Sequence, residues 1–217
     1  MNPLYTKKVL TAASANNIAL SQTVSGASLV VLNGSTVTGG VAILDTERRI
    51  LITNGGNDLG ITFTVTGYSK ERTLPYSETV TGTNGGTVAT TQDFGFVTSI
   101  KTSGSTSGSG ITVGTNGVGS SRWRIVNWHN TPINIGIGTL VSGTVNYTVE
   151  HTYDDPTGVY QNPNSTFPTV YPNPTLNALT ANAEGVYTTP ISAYRLTVNS
   201  GTGTVSMVSL IAGISGS

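Results

Sequence analysis

ITFTVT at residues 61–66 and TVNYTVEHT at residues 144–152 are the stretches that decide the fold class. In both, apolar and polar residues alternate one by one, so that Phe63 and Val65, for example, fall on one side of the chain and the threonines on the other. This period of two is the pattern of a strand buried on one face. At about 3.3 Å per residue the second stretch spans roughly 30 Å, which is long for a strand.

The sequence around these two stretches has the same character. Residues 18–155 are dominated by Thr, Val, Ile, Ser and Gly in short alternating runs separated by glycine-rich turns. β-Branched residues favour strands, and regularly spaced turns are typical of antiparallel sheets. One such turn is TNGG at 83–86, where Asn-Gly favours a tight hairpin between residues 78–81 and 87–91. The sequence therefore predicts an all-β protein built as an antiparallel β-sandwich of the jelly-roll or immunoglobulin-like kind.

Changes in amino-acid composition divide the chain into four parts. Residues 1–17 form an N-terminal segment, and residues 18–155 form the sandwich body. Six prolines fall within residues 156–190, and proline cannot donate to a sheet ladder, so this part is predicted to be an extended arm that docks on a neighbouring subunit. Residues 191–217 read as a C-terminal β-hairpin that packs on the body.

Charge is sparse along the whole sequence. Only 9% of the residues are Asp, Glu, Lys or Arg, and ten acidic residues balance ten basic ones. Copies of a chain with so little net charge repel one another weakly, which favours a protein that functions as part of an assembly. No basic excess is present to neutralise phosphates, so we expect no direct nucleic acid partner. The chain has no cysteine, and we expect neither a signal peptide nor a membrane-spanning segment.

Residues suited to catalysis are few. His129 and His151 are the only histidines, and neither belongs to a hydrolase or phosphate-binding motif. Glu150, His151, Asp154 and Asp155 invite a metal site, but consecutive strand residues point to opposite faces, and Asp-Asp-Pro is ordinary turn sequence. We therefore predict no enzymatic activity, no metal and no cofactor.

The stretch RWRIVNWH at 122–129 concentrates aromatic and arginine residues, the types that dominate interface hot spots. Strand alternation would place one of its two tryptophans in the core and present the other outward, although a core position for both is an equally good reading. Aromatic residues also decorate the Pro-rich arm. The candidate interface residues are Arg122, Trp123, Arg124, Trp128, Tyr160, Phe167 and Tyr171.

Four stretches together resemble a family of tailed-bacteriophage virion structural proteins, most of all the capsid decoration, or cement, proteins. They are ITNGGNDLGITFTVTG (52–67), ETVTGTNGGTVATTQDFGFVTSI (78–100), SGTVNYTVEHTYDDP (142–156) and ANAEGVYTTPISAYRLTVNSGTGTVSMVSLIAG (181–213). The resemblance implies a β-sandwich or jelly-roll protein that sits on the capsid surface of the virion as a homo-oligomer, a trimer or a dimer. It implies that the major capsid protein is the partner, and that bridging its subunits stabilises the head.

Two other functions remain open from the sequence. A head- or tail-fibre adhesion module would bind a host surface glycan or protein through its loops, and an outward pair of aromatics over a polar trough would favour it. A virion-bound glycan hydrolase would need two carboxylates roughly 5–10 Å apart in a groove, which ten acidic residues in all make improbable.

Overall fold

The computed structural model of the chain describes residues 4–8, 12–70, 75–127, 130–157 and 168–215. All regular structure in these residues is antiparallel β-strand, so the predicted fold class is confirmed. They also contain no helix of the length and apolarity that a membrane crossing requires. The chain forms two compact units, unit 1 from Met1–Leu10 and Gly119–Ser217 and unit 2 from Thr11–Val118.

Unit 1 is a β-sandwich of two sheets. Sheet A has the strand order β1-β15-β10-β13, and sheet B contains β12-β11-β14, with β9 also paired to β14. The strands are β1 Leu4–Lys8, β9 Arg124–Ile125, β10 Asn130–Ser142, β11 Val145–Thr152, β12 Tyr171–Pro172, β13 Ala183–Tyr187, β14 Ala193–Gly201 and β15 Thr204–Ser215.

The core of unit 1 lies between these sheets. Ile135 and Met207 of sheet A belong to the same buried cluster as Val145, Tyr147 and Val149 of β11. The alternation read from residues 144–152 is therefore confirmed, because the three apolar residues of β11 are all buried on one face. Inside the core, the hydroxyls of Thr139 and Tyr147 lie 2.5 Å apart, and Tyr147 also donates to Ala181 O at 2.9 Å, so these buried polar groups are paired.

The C-terminal strands differ from the predicted hairpin at 191–217. β14 and β15 follow one another along the chain, but β14 pairs with β11 in sheet B and β15 with β10 in sheet A. The turn between them gives its N–H groups to another turn, since Thr202 N and Gly203 N both donate to Thr144 O, at 3.0 and 2.7 Å. Each of these two turns therefore joins a strand of one sheet to a strand of the other, which is a β-arch. The arch between β10 and β11 lies next to the arch between β14 and β15.

The Pro-rich stretch also differs from the predicted free arm. Residues 158–167 lie outside the described residues, but residues 168–190 fold against unit 1 itself. β12 pairs with β11, and β13 pairs with β10. Leu176 and Asn173 are fully buried. The prolines limit regular pairing to short strands, while the apolar residues between them anchor the segment to its own chain.

Unit 2 contains β2 Ser14–Gln22, β3 Val37–Thr38, β4 Val41–Asn54, β5 Thr62–Tyr68, β6 Tyr76–Thr81, β7 Thr87–Thr102 and most of β8 Ile111–Ser120. Its strands run in the order β8-β4-β7-β5-β6, with β2 paired to β8 and β3 to β4. The predicted strand at 61–66 is confirmed in β5, where Phe63 and Val65 are fully buried. The TNGG turn does not join a hairpin, because β5 pairs with both β6 and β7.

The division into units falls inside the predicted body at 18–155. The boundary between Val118 and Gly119 lies within β8, where no turn, proline or change of composition marks it. Part of the predicted N-terminal segment, 1–17, belongs to unit 1 through β1, which pairs with β15.

Candidate interaction site at one end of unit 1

Four aromatic rings meet where β11 ends. The ring centroid of His151 lies 5.5 Å from that of Tyr153, 5.7 Å from that of Tyr171 and 5.1 Å from that of Tyr187. The β-sheet register explains the stacking, because His151 and Tyr171 are direct partners across β11 and β12. Tyr187 reaches the cluster from β13 of the opposite sheet. We call these four residues the aromatic cluster.

Two rings of the aromatic cluster are buried and two are exposed. His151 and Tyr187 are buried, whereas Tyr153 is 56% exposed and Tyr171 44% exposed. The two exposed rings lie 5.6 Å apart in an edge-to-face arrangement. They therefore form an outward aromatic pair whose orientation is held by the buried rings behind it.

The surroundings of His151 disfavour its charged form. Burial lowers the pKa of His151, and its Nδ1 atom has no hydrogen-bond partner. Glu150 points to the other face, where it accepts hydrogen bonds from Arg195 Nε at 2.8 Å and Thr197 Oγ1 at 2.7 Å. The two residues diverge as strand geometry predicts. Nowhere in the described ranges do three or more His, Asp or Glu side chains group as metal ligands.

Because burial lowers the pKa of His151, we expect acid to destabilise unit 1. A folded-state pKa below the unfolded value of about 6.5 means that the unfolded chain binds the proton more readily. The stabilising effect is complete above that value and is lost as the pH falls toward the folded pKa. We expect the free energy of unfolding to decrease from about pH 7.5 to pH 5.5, and His151→Phe to flatten this decrease. Tryptophan fluorescence during urea titrations measures it.

The control is His129→Gln, which measures the share of the only other histidine. Wild type and His151→Phe losing the same stability over this pH range would contradict the assignment.

An apolar groove with a volume of about 600 Å³ opens beside Tyr153. Among the described residues that line it, Asp155 is the only charged one, and its Oδ1 accepts hydrogen bonds from the N and Oγ1 atoms of Thr157, at 2.8 and 2.6 Å. Ile125 at its edge is 54% exposed. The lining consists of Ile125, Val126, Ile133, Tyr153, Asp155, Pro156, Thr157, Pro190, Ile191 and Ser192.

The predicted interface residues divide into those used within the chain and those facing outward. Trp123 is half-buried, and the guanidinium carbon of Arg195 lies 4.6 Å from its ring centroid. Arg124 donates from Nε to Thr6 Oγ1 at 2.9 Å and from Nη2 to Tyr5 O at 2.7 Å. Arg124 therefore ties β9 to β1, and Trp123 packs beneath an arginine of β14.

The other predicted residues have different outcomes. Arg122 is exposed, and Tyr171 is part of the aromatic cluster. Trp128, Tyr160 and Phe167 lie outside the described residues. The structure therefore brings one predicted residue, Tyr171, into an outward site.

Sequence reasoning missed the groove and half of the aromatic cluster. Tyr153 stands out as an aromatic residue near the prolines, but nothing in the order of residues shows that positions 151, 171 and 187 meet. The groove forms from Ile125, Ile133 and Ile191, which look like ordinary strand residues in the sequence. The signal that was present is the aromatic and arginine stretch at 122–129, which contains Ile125.

Comparison with known proteins adds no family. No protein-family model matches the sequence, and no curated protein matches it. Among solved structures, an allantoicase from Saccharomyces cerevisiae aligns over 94% of this chain and 90% of its own, at 8% identity and a TM-score of 0.23. Similarity this low carries no argument about fold or activity.

Proposed function

We propose that this chain is a non-enzymatic structural protein of a tailed-bacteriophage virion, which decorates the capsid surface and bridges subunits of the major capsid protein. The observation that carries the proposal is the apolar groove of unit 1, with the exposed Ile125 and Tyr153 at its edge. A surface this apolar, on a chain with so few charges, suits a protein that works while bound to others.

The groove suits an extended, apolar segment of the capsid protein. Isoleucine and proline side chains form half of its lining, and Asp155 is already engaged in its own turn. Docking there would remove apolar surface from water at roughly 25 cal/mol per Å² before the costs of association. The same contact repeated over a capsid lattice stabilises the shell as a whole. No cofactor takes part in this role.

The test is a substitution in the groove that leaves the fold intact. Because Ile125 is 54% exposed, Ile125→Asp should change stability little while placing a charge where the capsid segment docks. We expect occupancy on purified heads to fall by roughly ten-fold or more, measured by cryo-electron microscopy of particles assembled with the variant. Leu59→Asp, at a residue 60% exposed in unit 2, is the matched control and should bind normally. Equal occupancy for both variants would rule out groove docking.

A second function, adhesion to a host surface glycan, is favoured by the outward pair of Tyr153 and Tyr171, since aromatic faces stack on sugar rings. Tyr171 does not line the groove, so Tyr171→Ala separates the two functions. Adhesion predicts that Tyr171→Ala abolishes binding to a glycan array and that density for the chain lies at the tail. Capsid decoration predicts normal occupancy of this variant on heads.

A further inference from the structure

The outer face of sheet A is largely apolar and exposed, except at Ser206, which is buried and accepts a hydrogen bond from the Tyr5 hydroxyl at 3.0 Å. Ile135, Ile137, Val205 and Met207 point into the core, so strand alternation directs the residues between them outward. The outward residues on the two central strands are Gly136, Gly138 and Leu140 of β10, and Ser206, Val208 and Leu210 of β15. Tyr5 of β1 and Glu184 and Val186 of β13 flank them. Leu140, Val186 and Leu210 are 59%, 50% and 42% exposed.

The outer face of sheet B is of the opposite kind. Its residues are polar and bonded to one another: Glu150 with Arg195, and Asn199 Nδ2 with Asn146 Oδ1 at 2.7 Å and Thr148 Oγ1 at 2.9 Å. Such a face is complete in itself. Of the two outer faces of unit 1, the face of sheet A is therefore the one suited to bind another molecule.

Two glycines make a depression in the middle of sheet A. A Cβ atom added at Gly136 or Gly138 would meet no atom within 4 Å, so nothing in this chain requires glycine there for space. Glycine weakens a strand, and its presence in one commonly marks a close approach by another chain or ligand. Gly138, Leu140, Val208 and Glu184 line a depression of about 460 Å³ at this place.

Large and small side chains alternate across the central strands. The β-sheet register pairs Gly138 with Val208, Gly136 with Leu210, and Leu140 with Ser206. Each pair therefore has one large and one small member, and the large member lies on β15 in two pairs and on β10 in the third. A two-fold axis parallel to the strands, between β10 and β15, would place each large residue over the small residue of its pair.

We propose that a second copy of this chain packs face to face on sheet A about this two-fold axis. Val208 and Leu210 of each copy then fill the space above Gly138 and Gly136 of the other. The arrangement is self-complementary, as a two-fold interface must be. Two sheets packed at the usual spacing of about 10 Å need such interdigitation.

The polar flank of the face obeys the same symmetry. Tyr5, Val208, Gly138 and Glu184 occupy one row across the four strands. The two-fold axis brings Tyr5, whose hydroxyl donates to Ser206 Oγ at 3.0 Å within its own chain, opposite Glu184 of the other copy. Glu184 is exposed on β13, an edge strand of sheet A.

This inference deepens the proposed function, since it names one partner, a second copy, and rests on that function for its biological setting. It can fail separately. Self-association is measured on the isolated protein, whereas capsid decoration is measured on particles.

The first test fills the depression. Gly136→Thr with Gly138→Thr adds side chains in open space, and threonine favours strands, so the single chain should fold at least as stably. The added atoms collide with the second copy, and we expect the dimer dissociation constant in sedimentation velocity to rise roughly ten-fold or more. Gly117→Thr, at a β8 glycine that also has open space, is the matched control and should dimerise normally.

The second test needs no disruption of the face. The chain has no cysteine, so Val208→Cys in one sample and Gly138→Cys in another introduce single thiols. Mixing the two under mild oxidation should give more disulfide-linked dimer than either sample gives alone, because position 208 of one copy lies over position 138 of the other and each chain carries only one thiol. A wild-type protein that is monomeric at all accessible concentrations, or a mixture that cross-links no better than its components, would overturn the proposal.

Discussion

Arg48→Ala should lower the free energy of unfolding of unit 2 by about 3–5 kcal/mol. Arg48 is fully buried. Its Nε and Nη2 atoms donate to the two carboxylate oxygens of Asp45 at 2.8 and 2.7 Å, and its Nη1 atom donates to Asn116 O at 3.1 Å. Alanine removes these three bonds and leaves a cavity where the side chain packed.

Conservative variants distinguish the bonds from the space. Arg48→Lys keeps the charge and part of the volume but loses the two-pronged contact with Asp45, so it should also destabilise, by less than alanine. Lys101→Ala, at an exposed position of β7 in the same unit, is the control and should stay within about 0.5 kcal/mol.

Amide hydrogen exchange is the suitable measurement for Arg48. Both tryptophans belong to unit 1, so fluorescence does not report on unit 2, whereas exchange resolves the strands β4 and β7 directly. Equal protection of these strands in Arg48→Ala and Lys101→Ala would show that the buried contacts contribute nothing.

Local pattern was sufficient to predict the strands at 61–66 and 144–152. Their alternation depends on the period of the strand itself, so Phe63, Val65 and Tyr147 are buried whatever strand lies beside them. The same reasoning correctly separated Glu150 from His151. The same reasoning did not predict that the Arg48 side chain is buried. That burial depends on contacts with Asp45 and with Asn116, which lies on another strand.

The partner of each strand was not predictable in the same way. The turn at 200–203 has the glycines of a hairpin, yet its N–H groups bond to Thr144 and its strands join different sheets. A glycine-rich turn permits a hairpin or an arch, and only the residues across the core decide between them. The aromatic cluster is a consequence of that pairing, since His151 and Tyr171 meet through β11 and β12.

Leu176→Ala should lower the free energy of unfolding of unit 1 by about 2–5 kcal/mol. Leu176 is fully buried in the core of the sandwich, although it lies in the middle of the Pro-rich stretch. Its carbonyl oxygen accepts a hydrogen bond from Val149 N at 2.8 Å, and its N–H donates to Asn173 Oδ1 at 3.2 Å. A Cβ atom added at Gly185 would lie 2.6 Å from Leu176 Cδ1, so the absence of a side chain there makes room for the leucine.

The result separates two views of residues 168–190. An arm that docks only on a neighbouring subunit would unfold independently, and Leu176→Ala would then leave the tryptophan fluorescence transition of the isolated protein unchanged. A segment that completes its own core shifts the transition to lower urea, and Gly185→Ala should shift it the same way by forcing Leu176 aside. Ile125→Ala, at an exposed position in the same unit, should change the free energy by no more than about 0.5 kcal/mol. The buried Asn173 and Tyr187 on either side of Leu176 make the shift the expected outcome, because their burial requires the whole segment to be in place.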